Sequence, residues 1–70
     1  MYVLTQDEKA IFDFNMYGFI SANEDGEIYM GGATDMGFLL GKYSSLERAK
    51  DIVADMFASL DMSRYVMPVI

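Results

Sequence analysis

The chain lacks the two residue types on which most nucleophilic and zinc chemistry depends. Its 70 residues include no cysteine and no histidine. Without thiols there are no disulfides or thiolate metal sites to support the core. Without imidazole, the commonest metal ligand and general base is missing. Acid–base catalysis by carboxylates stays open, but we expect a protein that is not an enzyme and uses no cofactor.

Positive charge and long apolar runs are also scarce. Five Lys and Arg against eleven Asp and Glu give a formal net charge of −6, which disfavours binding to a nucleic-acid backbone. No apolar run approaches the ~20 residues of a membrane span. Residues 1–5 have neither the basic region nor the length of a signal peptide. The sequence therefore predicts a cytoplasmic protein with no membrane contact.

Apolar side chains, in contrast, are abundant. The chain is 53% hydrophobic and holds five Tyr, five Phe and seven Met. A domain of this size buries only about 60% of its unfolded surface, so its margin of stability is thin and its apolar content is high for a small monomer. We expect part of it to contact another chain. No linker or repeat divides the sequence, which predicts a single domain over residues 1–70.

The segment Ser44–Leu60 has the clearest pattern and predicts an amphipathic helix. Ser44 followed by Glu47 fits a capping box, in which each side chain binds a backbone N–H of the first turn. Apolar residues then recur at three- and four-residue steps and form one stripe. The stripe consists of Leu46, Ala49, Ile52, Val53, Met56, Phe57 and Leu60.

This stripe also predicts the effect of substitutions on stability. Phe57 lies on the apolar side of the helix, so we expect Phe57→Asp to unfold the protein. Asp51 and Asp55 lie on the opposite, polar side. We expect Asp51→Ala and Asp55→Ala to be tolerated, because surface substitutions rarely change stability by more than ~0.5 kcal/mol.

Short runs of aromatic and β-branched residues predict strands on both sides of this helix. The predicted strands are residues 2–4, 10–14, 16–22, 27–30, 38–43 and 64–67. The Asp-Gly pair at the end of Asn23–Gly26 is a strong hairpin signal. Thr5 with Glu8 also fits a capping box, so a two-turn helix is the alternative to a hairpin at the first connection. Pro68 cannot donate a ladder hydrogen bond, so the last strand is an edge or a tail.

These elements predict an α+β fold: an antiparallel meander of about four to five strands, one helix on one face, and a short C-terminal edge strand. One helix covers only one face of a sheet, yet Phe38 and Leu40 alternate with Leu39 on an equally apolar second face. Either the sheet curls into a partial barrel or its second face packs on another subunit. We predict a homo-oligomer, most simply a dimer.

Residues 13–24 contain the pattern closest to a metal-binding motif, an EF-hand calcium loop. The positions that fit are Asp13, Asn15, Gly18, Ile20 and Glu24. Tyr17 occupies another ligand position and supplies no carboxylate or amide oxygen. Residues 25–32 are typical of a turn, strand and loop rather than of an exiting helix. A calcium-binding module using Asp13, Asn15 and Glu24 is therefore the alternative, and a hairpin is the interpretation we favour.

Side chains in the less regular segments are the candidates for contact with a partner. Methionine in particular makes adaptable binding surfaces. The candidates are Tyr65, Met67, Met36 and Met62. Val69 and Ile70 extend this apolar tail, which either returns to the sheet or reaches a partner.

Three groups of short motifs carry a resemblance to known sequences. They are Gln6-Asp7, Leu40-Gly41-Lys42-Tyr43-Ser44-Ser45 with Glu47-Arg48-Ala49, and Tyr65-Val66-Met67-Pro68. Together they resemble a family of small uncharacterised proteins of Gram-positive bacteria and their phages. The chain departs from that pattern in the Gly-rich loop of residues 31–37. The resemblance implies a phage or prophage origin and a non-catalytic role, and it supplies no catalytic residues.

The first functional hypothesis is thus a small non-enzymatic interaction protein. It would bind a host or phage protein, or a small ligand, through an oligomeric sheet surface. Besides the calcium-binding module, the acidic composition leaves a third hypothesis, an inhibitor that imitates nucleic acid. That role requires carboxylates aligned along one face.

Overall fold

The computed structural model describes residues 1–31 and 37–70 and confirms the predicted α+β class. Its strands are β1 (Tyr2–Leu4), β2 (Ile11–Asp13), β3 (Ile20–Ala22), β4 (Glu27–Met30), β5 (Phe38–Lys42) and β6 (Arg64–Val66). Its helices are the single turn α1 (Phe14–Tyr17) and the main helix α2 (Leu46–Ala58). In this described part of the chain, neither helix has the length and apolar character needed to cross a membrane.

The strands form two three-stranded sheets rather than one meander. The first sheet has the order β2-β1-β6, with β1 antiparallel to β2 and parallel to β6. The second sheet has the order β3-β4-β5 and is antiparallel throughout. The described strands do not close into a barrel. Two sheets therefore replace the single meander predicted from the sequence. The reason is that the chain after α2 returns to β1 instead of extending the second sheet.

A core lies between these sheets and α2. Val3 in the first sheet, Ile28 and Met30 in the second, and Ala49 in α2 are fully buried. The other core residues are Met1, Leu40, Tyr43, Ile52, Met56, Tyr65 and Met67. Each element thus contributes one apolar face, and burial of those faces is the main force that holds a chain of this size together.

Gln6, between β1 and β2, joins the two sheets. Its backbone N–H donates to the carbonyl of Leu40 at 2.8 Å. Its side-chain oxygen accepts the backbone N–H of Lys42 at 2.7 Å. Gln6 thereby satisfies two groups at the outer edge of β5, which would otherwise lack strand partners.

The connection from β1 to β2 is a turn and not the alternative two-turn helix. The Thr5 hydroxyl donates to the Asp7 carboxylate at 2.6 Å and accepts the Ala10 N–H at 3.2 Å. The hydroxyl hydrogen bond, followed by the N–H of Lys9, lowers the pKa of Asp7. Glu8 has a φ of 62°, in the left-handed region that helices exclude. The hairpin interpretation of residues 2–14 is confirmed, with β2 ending at Asp13.

The Asp-Gly hairpin is confirmed as the connection from β3 to β4. The Asn23 side-chain oxygen accepts the N–H groups of Asp25 and Glu27 at 3.0 and 3.1 Å. Gly26 has a φ of 82°, and a Cβ atom there would lie 2.4 Å from the carbonyl oxygen of Tyr43. Glycine is therefore required twice at this position, for its backbone conformation and for the close approach of Tyr43.

The predicted strand over residues 16–22 is wrong in its first half, where α1 forms. Asp13 caps this turn by accepting the N–H of Asn15 at 3.0 Å. Gly18, with a φ of 64°, ends it in the left-handed conformation. A local cap and a glycine stop thus override the β propensity of Phe14 and Tyr17, and only Ile20–Ala22 remain as a strand.

Helix α2 begins one residue later than predicted. Its N-cap is Ser45, whose hydroxyl accepts the N–H of Arg48 at 3.1 Å, so Ser44 is not the cap. The helix ends at Ala58, before Leu60. Its buried residues are Ala49, Ile52 and Met56, whereas Phe57 is 76% exposed.

The chain after α2 makes two hydrogen bonds with one flank of the helix. The Tyr65 hydroxyl donates to the Asp55 carboxylate at 2.5 Å, and the Arg48 guanidinium donates to the carbonyl of Ile70 at 2.9 Å. This segment is thus attached to the flank that carries Arg48 and Asp55, although Asp55 itself stays exposed. Phe57 has no such contact among the described residues and is also exposed. The premise of the Phe57 expectation is therefore corrected, because its side chain is exposed, and Asp55 has a contact that the helix pattern does not show. The expectation for Asp51 is unchanged.

We expect Met56→Ala to lower the free energy of unfolding by about 2–5 kcal/mol, because it opens a cavity in the core. The neighbouring Phe57→Ser should change it by less than about 0.5 kcal/mol, as for other surface substitutions. Urea denaturation followed by circular dichroism measures both. Equal destabilisation by the two variants would contradict the observed orientation of α2.

A second pair of substitutions tests the contact between α2 and the chain that follows it. Asp55→Ala removes the acceptor of the buried Tyr65 hydroxyl and should cost about 1–3 kcal/mol. Asp51→Ala, one turn earlier on the same exposed side, should cost less than about 0.5 kcal/mol, because among the described residues its side chain makes no hydrogen bond. The same denaturation measurement compares them, and an Asp55→Ala variant as stable as Asp51→Ala would show that the Tyr65–Asp55 contact is not formed.

Candidate interaction surface

The first sheet has one buried face and one exposed face. Alternation along the strands directs Val3, Phe12 and Tyr65 towards the core. The side chains on the opposite side are Tyr2, Leu4, Ile11, Asp13, Arg64 and Val66, and we call this set the outer face. Helix α2 packs against β3 and β4 of the second sheet, so it does not cover the outer face. Tyr2, Ile11 and Val66 are 56%, 67% and 60% exposed.

The strand register arranges the outer face in two rows. Leu4 pairs with Ile11 on one side and with Val66 on the other, which makes an apolar row. Tyr2 pairs with Asp13 on one side and with Arg64 on the other, which makes a row with an aromatic ring between an acid and a base. An open groove of about 580 Å³ runs over all of these residues except Asp13, and Ser63 and Tyr65 also line it. The outer face is thus apolar along one row and carries opposite charges at the two ends of the other.

The C-terminal segment holds β6 in place beside β1. The Met67 N–H donates to the carbonyl of Leu4 at 3.1 Å. The Tyr43 hydroxyl donates to the carbonyl of Pro68 at 2.7 Å, and the Gln6 amide donates to that of Val69 at 2.9 Å. The tail therefore returns to the first sheet, which was one of the two alternatives predicted from the sequence. The outer face is built on backbone that is fixed from both sides.

Residues of three short sequence motifs meet where the tail contacts Gln6 and Tyr43, and we call this contact the junction. Gln6 and Tyr43 hold the tail, and Pro68 is one of the residues they hold. A Cβ atom on Gly41 would lie 2.9 Å from the Tyr43 ring and 3.0 Å from Cβ of Gln6. The Gln-Asp, Gly-x-Tyr and Tyr-x-Met-Pro motifs therefore have a common structural role.

The predicted contact residues are placed differently from the expectation. Tyr65 is 9% exposed and Met67 1%, so both side chains belong to the core rather than to a binding surface. Burial and the hydrogen bond to Asp55 raise the pKa of Tyr65. Met62 is exposed in the turn after α2, beside the outer face but outside its groove. Met36 lies outside the described residues.

Tyr2, Ile11 and Val66 are not among the contact residues predicted from the sequence. Their strands are only three residues long. The sequence pattern that could have identified them is the alternation of side chains along each strand around Val3 and Tyr65. In such short strands this alternation does not show which of the two sides faces the core. That choice depends on α2 and the second sheet, which lie far away in the sequence.

The structure does not form the helix–loop–helix frame of an EF-hand. Asp13 caps α1 through its side chain, and Glu24 lies in the turn between β3 and β4. Strand β4 (Glu27–Met30) lies where the exiting helix would run. Within residues 1–31 and 37–70, no group of three or more acidic side chains is placed to hold a metal ion. The positions of Asp13, Asn15 and Glu24 therefore give the calcium hypothesis no geometric support.

Phe57 is the centre of a second exposed apolar patch. It lies between two shallow grooves, one lined also by Phe14 and Ile20 and the other by Ala22 and Lys50. This patch joins a helix to the edge of a sheet and does not have the paired charges of the outer face. It supplies a matched control for substitutions in the outer face.

No protein-family model, curated protein or solved structure matches this chain.

The raised pKa of Tyr65 predicts how stability depends on pH. Because folding favours the neutral phenol, this contribution is complete below the ordinary tyrosine pKa of 10.0 and is lost as pH rises above it. Tyr65→Phe should lower the free energy of unfolding by about 1–2 kcal/mol at neutral pH. It should also make the loss of stability above pH ~10 shallower.

Urea denaturation on both sides of that pH measures the effect. Burial also raises the pKa of Tyr43. The Tyr65→Phe variant should therefore keep part of the loss of stability at high pH. Phe57→Ser, which removes no phenol and lies on the exposed side of α2, is the control and should follow the wild-type profile. An unchanged alkaline profile for Tyr65→Phe would contradict the buried hydrogen bond.

Proposed function

We propose that this protein is a small non-enzymatic interaction protein that binds another folded protein through its outer face. The observation that carries the proposal is the row of Ile11, Leu4 and Val66, which no described element covers. Burying apolar surface contributes roughly 25 cal/mol per Å². Exposed patches of this kind commonly mark interaction sites.

The shape of the outer face favours a protein over a small ligand. Small-molecule sites are concave and bury about 70–90% of the ligand. The groove over Tyr2 and Val66 is instead open along a three-stranded sheet. An open, partly apolar surface with charges at its margin is the usual composition of a protein–protein interface.

The rigidity of the outer face also supports binding. Gln6, Tyr43 and the backbone of Met67 fix β6 against β1. A surface that is already ordered loses little conformational entropy on association, and this preserves affinity.

The chemistry of the face supports a non-enzymatic role. The groups whose pKa is displaced are Asp7, Tyr29, Tyr43 and Tyr65. None of them is among the six outer-face residues, and displaced pKa values tend to gather where catalysis occurs. The motif resemblance adds a phage or prophage setting, with a host or phage protein as the partner.

The test compares Ile11→Glu, in the outer face, with Phe57→Glu, which places the same charge on the other exposed patch. We expect wild type and Phe57→Glu to associate with the same protein, whether another copy of this chain or a host protein. Ile11→Glu should weaken that association at least tenfold, about 1.4 kcal/mol, because it buries an unpaired charge.

Light scattering measures self-association. Quantitative affinity capture from host lysate identifies a partner other than this chain. The affinity of that partner for the wild type and the two purified variants is then measured. Circular dichroism shows that each variant is folded. Equal binding by wild type and Ile11→Glu would overturn the proposal, as would the absence of any association.

A further inference from the structure

We propose that the outer face binds a second copy of this chain, face to face, about a two-fold axis parallel to β1. This inference rests on the proposed function, because it uses the same surface. It goes further by naming the partner and the pairing of residues across the interface.

The strand order makes such packing self-complementary. In the first sheet β1 is central, with β2 on one side and β6 on the other. A rotation of 180° about an axis along β1, in the plane of the interface, places β1 over β1 of the second copy. The same rotation places β2 over β6 of that copy, and β6 over its β2. Aligned sheets pack in this way about 10 Å apart, within about 30° of parallel.

This rotation matches the two rows of the outer face. The row of Ile11, Leu4 and Val66 meets the same row in reverse order, so apolar side chains face one another throughout. In the other row, Asp13 faces Arg64 of the second copy, and symmetry forms this contact twice. Tyr2 faces its own counterpart at the axis, where aromatic side chains typically anchor an interface.

The other two-fold arrangement is disfavoured by the same registers. An axis perpendicular to the strands would place each charged row over an apolar row. Asp13 and Arg64 would then be buried against Ile11 or Val66 without a partner of opposite charge, which costs free energy. The positions of one acid and one base thus select a single orientation.

Asp13 is available for this contact. It caps α1 through Oδ1, which accepts the N–H of Asn15 at 3.0 Å. Its second oxygen, Oδ2, remains for the guanidinium of Arg64 from the second copy. A charge-assisted hydrogen bond of this kind specifies orientation as well as adding affinity. Since a three-stranded face lies at the small end of interface sizes, below about 1,200 Å² in total, we expect a micromolar dimer.

A charge exchange tests the pairing. Arg64→Asp and Asp13→Arg should each weaken the dimer at least tenfold, because each brings like charges together twice. A mixture of the two variants should recover the association, since both contacts then join an acid to a base. The double variant D13R/R64D should recover it as a homodimer. Sedimentation equilibrium over a range of concentrations measures all four forms.

Asp13→Asn separates the charge from the helix cap, because asparagine also caps helices. It should weaken the dimer less than Asp13→Arg and leave circular dichroism unchanged. A mixture in which the two single variants stay monomeric although both are folded would overturn the pairing.

Cross-linking locates the axis without any change of charge. The chain has no cysteine, so one introduced thiol is unique. Tyr2→Cys should be linked into a dimer by a short bismaleimide, since the opposed sheets lie too far apart for a direct disulfide. Phe57→Cys, which is more exposed, should stay monomeric. Linkage of Phe57→Cys but not Tyr2→Cys would overturn the proposed axis.

These outcomes separate the inference from the proposed function. A wild-type protein that stays monomeric at high micromolar concentration overturns the inference. If the wild-type protein still binds a different protein and Ile11→Glu abolishes that binding, the proposed function holds. The partner at the outer face is then that protein and not a second copy of this chain. If Ile11→Glu also has no effect on any binding, both proposals fail.

Discussion

The three hydrogen bonds of Gln6 connect parts of the molecule that are far apart in the sequence. One residue in a turn satisfies two groups of β5 with its backbone and side-chain oxygen, and one carbonyl of the tail with its amide nitrogen. Tyr43 adds its hydroxyl to the same tail, and the absence of a side chain on Gly41 lets Tyr43 and Gln6 approach. The position of each sheet relative to the other, and of β6 relative to β1, depends on this junction.

The features predicted correctly from sequence are those determined by neighbouring residues. The Asp-Gly turn, the strand over Phe38–Lys42 and the amphipathic helix each depend on a few consecutive side chains. The parallel pairing of β6 with β1 was not predicted, because no local pattern identifies a distant strand. The apolar stripe of α2 is predicted correctly at Ala49, Ile52 and Met56 but not at Phe57, because which edge of the stripe is covered depends on elements distant in the sequence.

The candidate site shows the same limit. Counting apolar faces against a single helix correctly indicated that a sheet face would have no cover. It did not identify the first sheet, because that sheet exists only when β6 joins the N-terminal hairpin. Tyr65 and Met67 were selected as surface residues for lack of a visible partner, and the structure supplies that partner as the core. An apolar tail by itself does not distinguish packing from binding.

The parallel pairing of Tyr2 with Arg64 also bears on the order of folding. Contacts between such distant residues require closure of a long loop and form late relative to local hairpins. The hairpins and α2 can assemble first, whereas β6 can dock only on a nearly finished molecule. The outer face, which needs all three strands, is then absent from partly folded chains. Any partner that recognises it distinguishes native from incompletely folded protein, and binding shifts the equilibrium towards the native state.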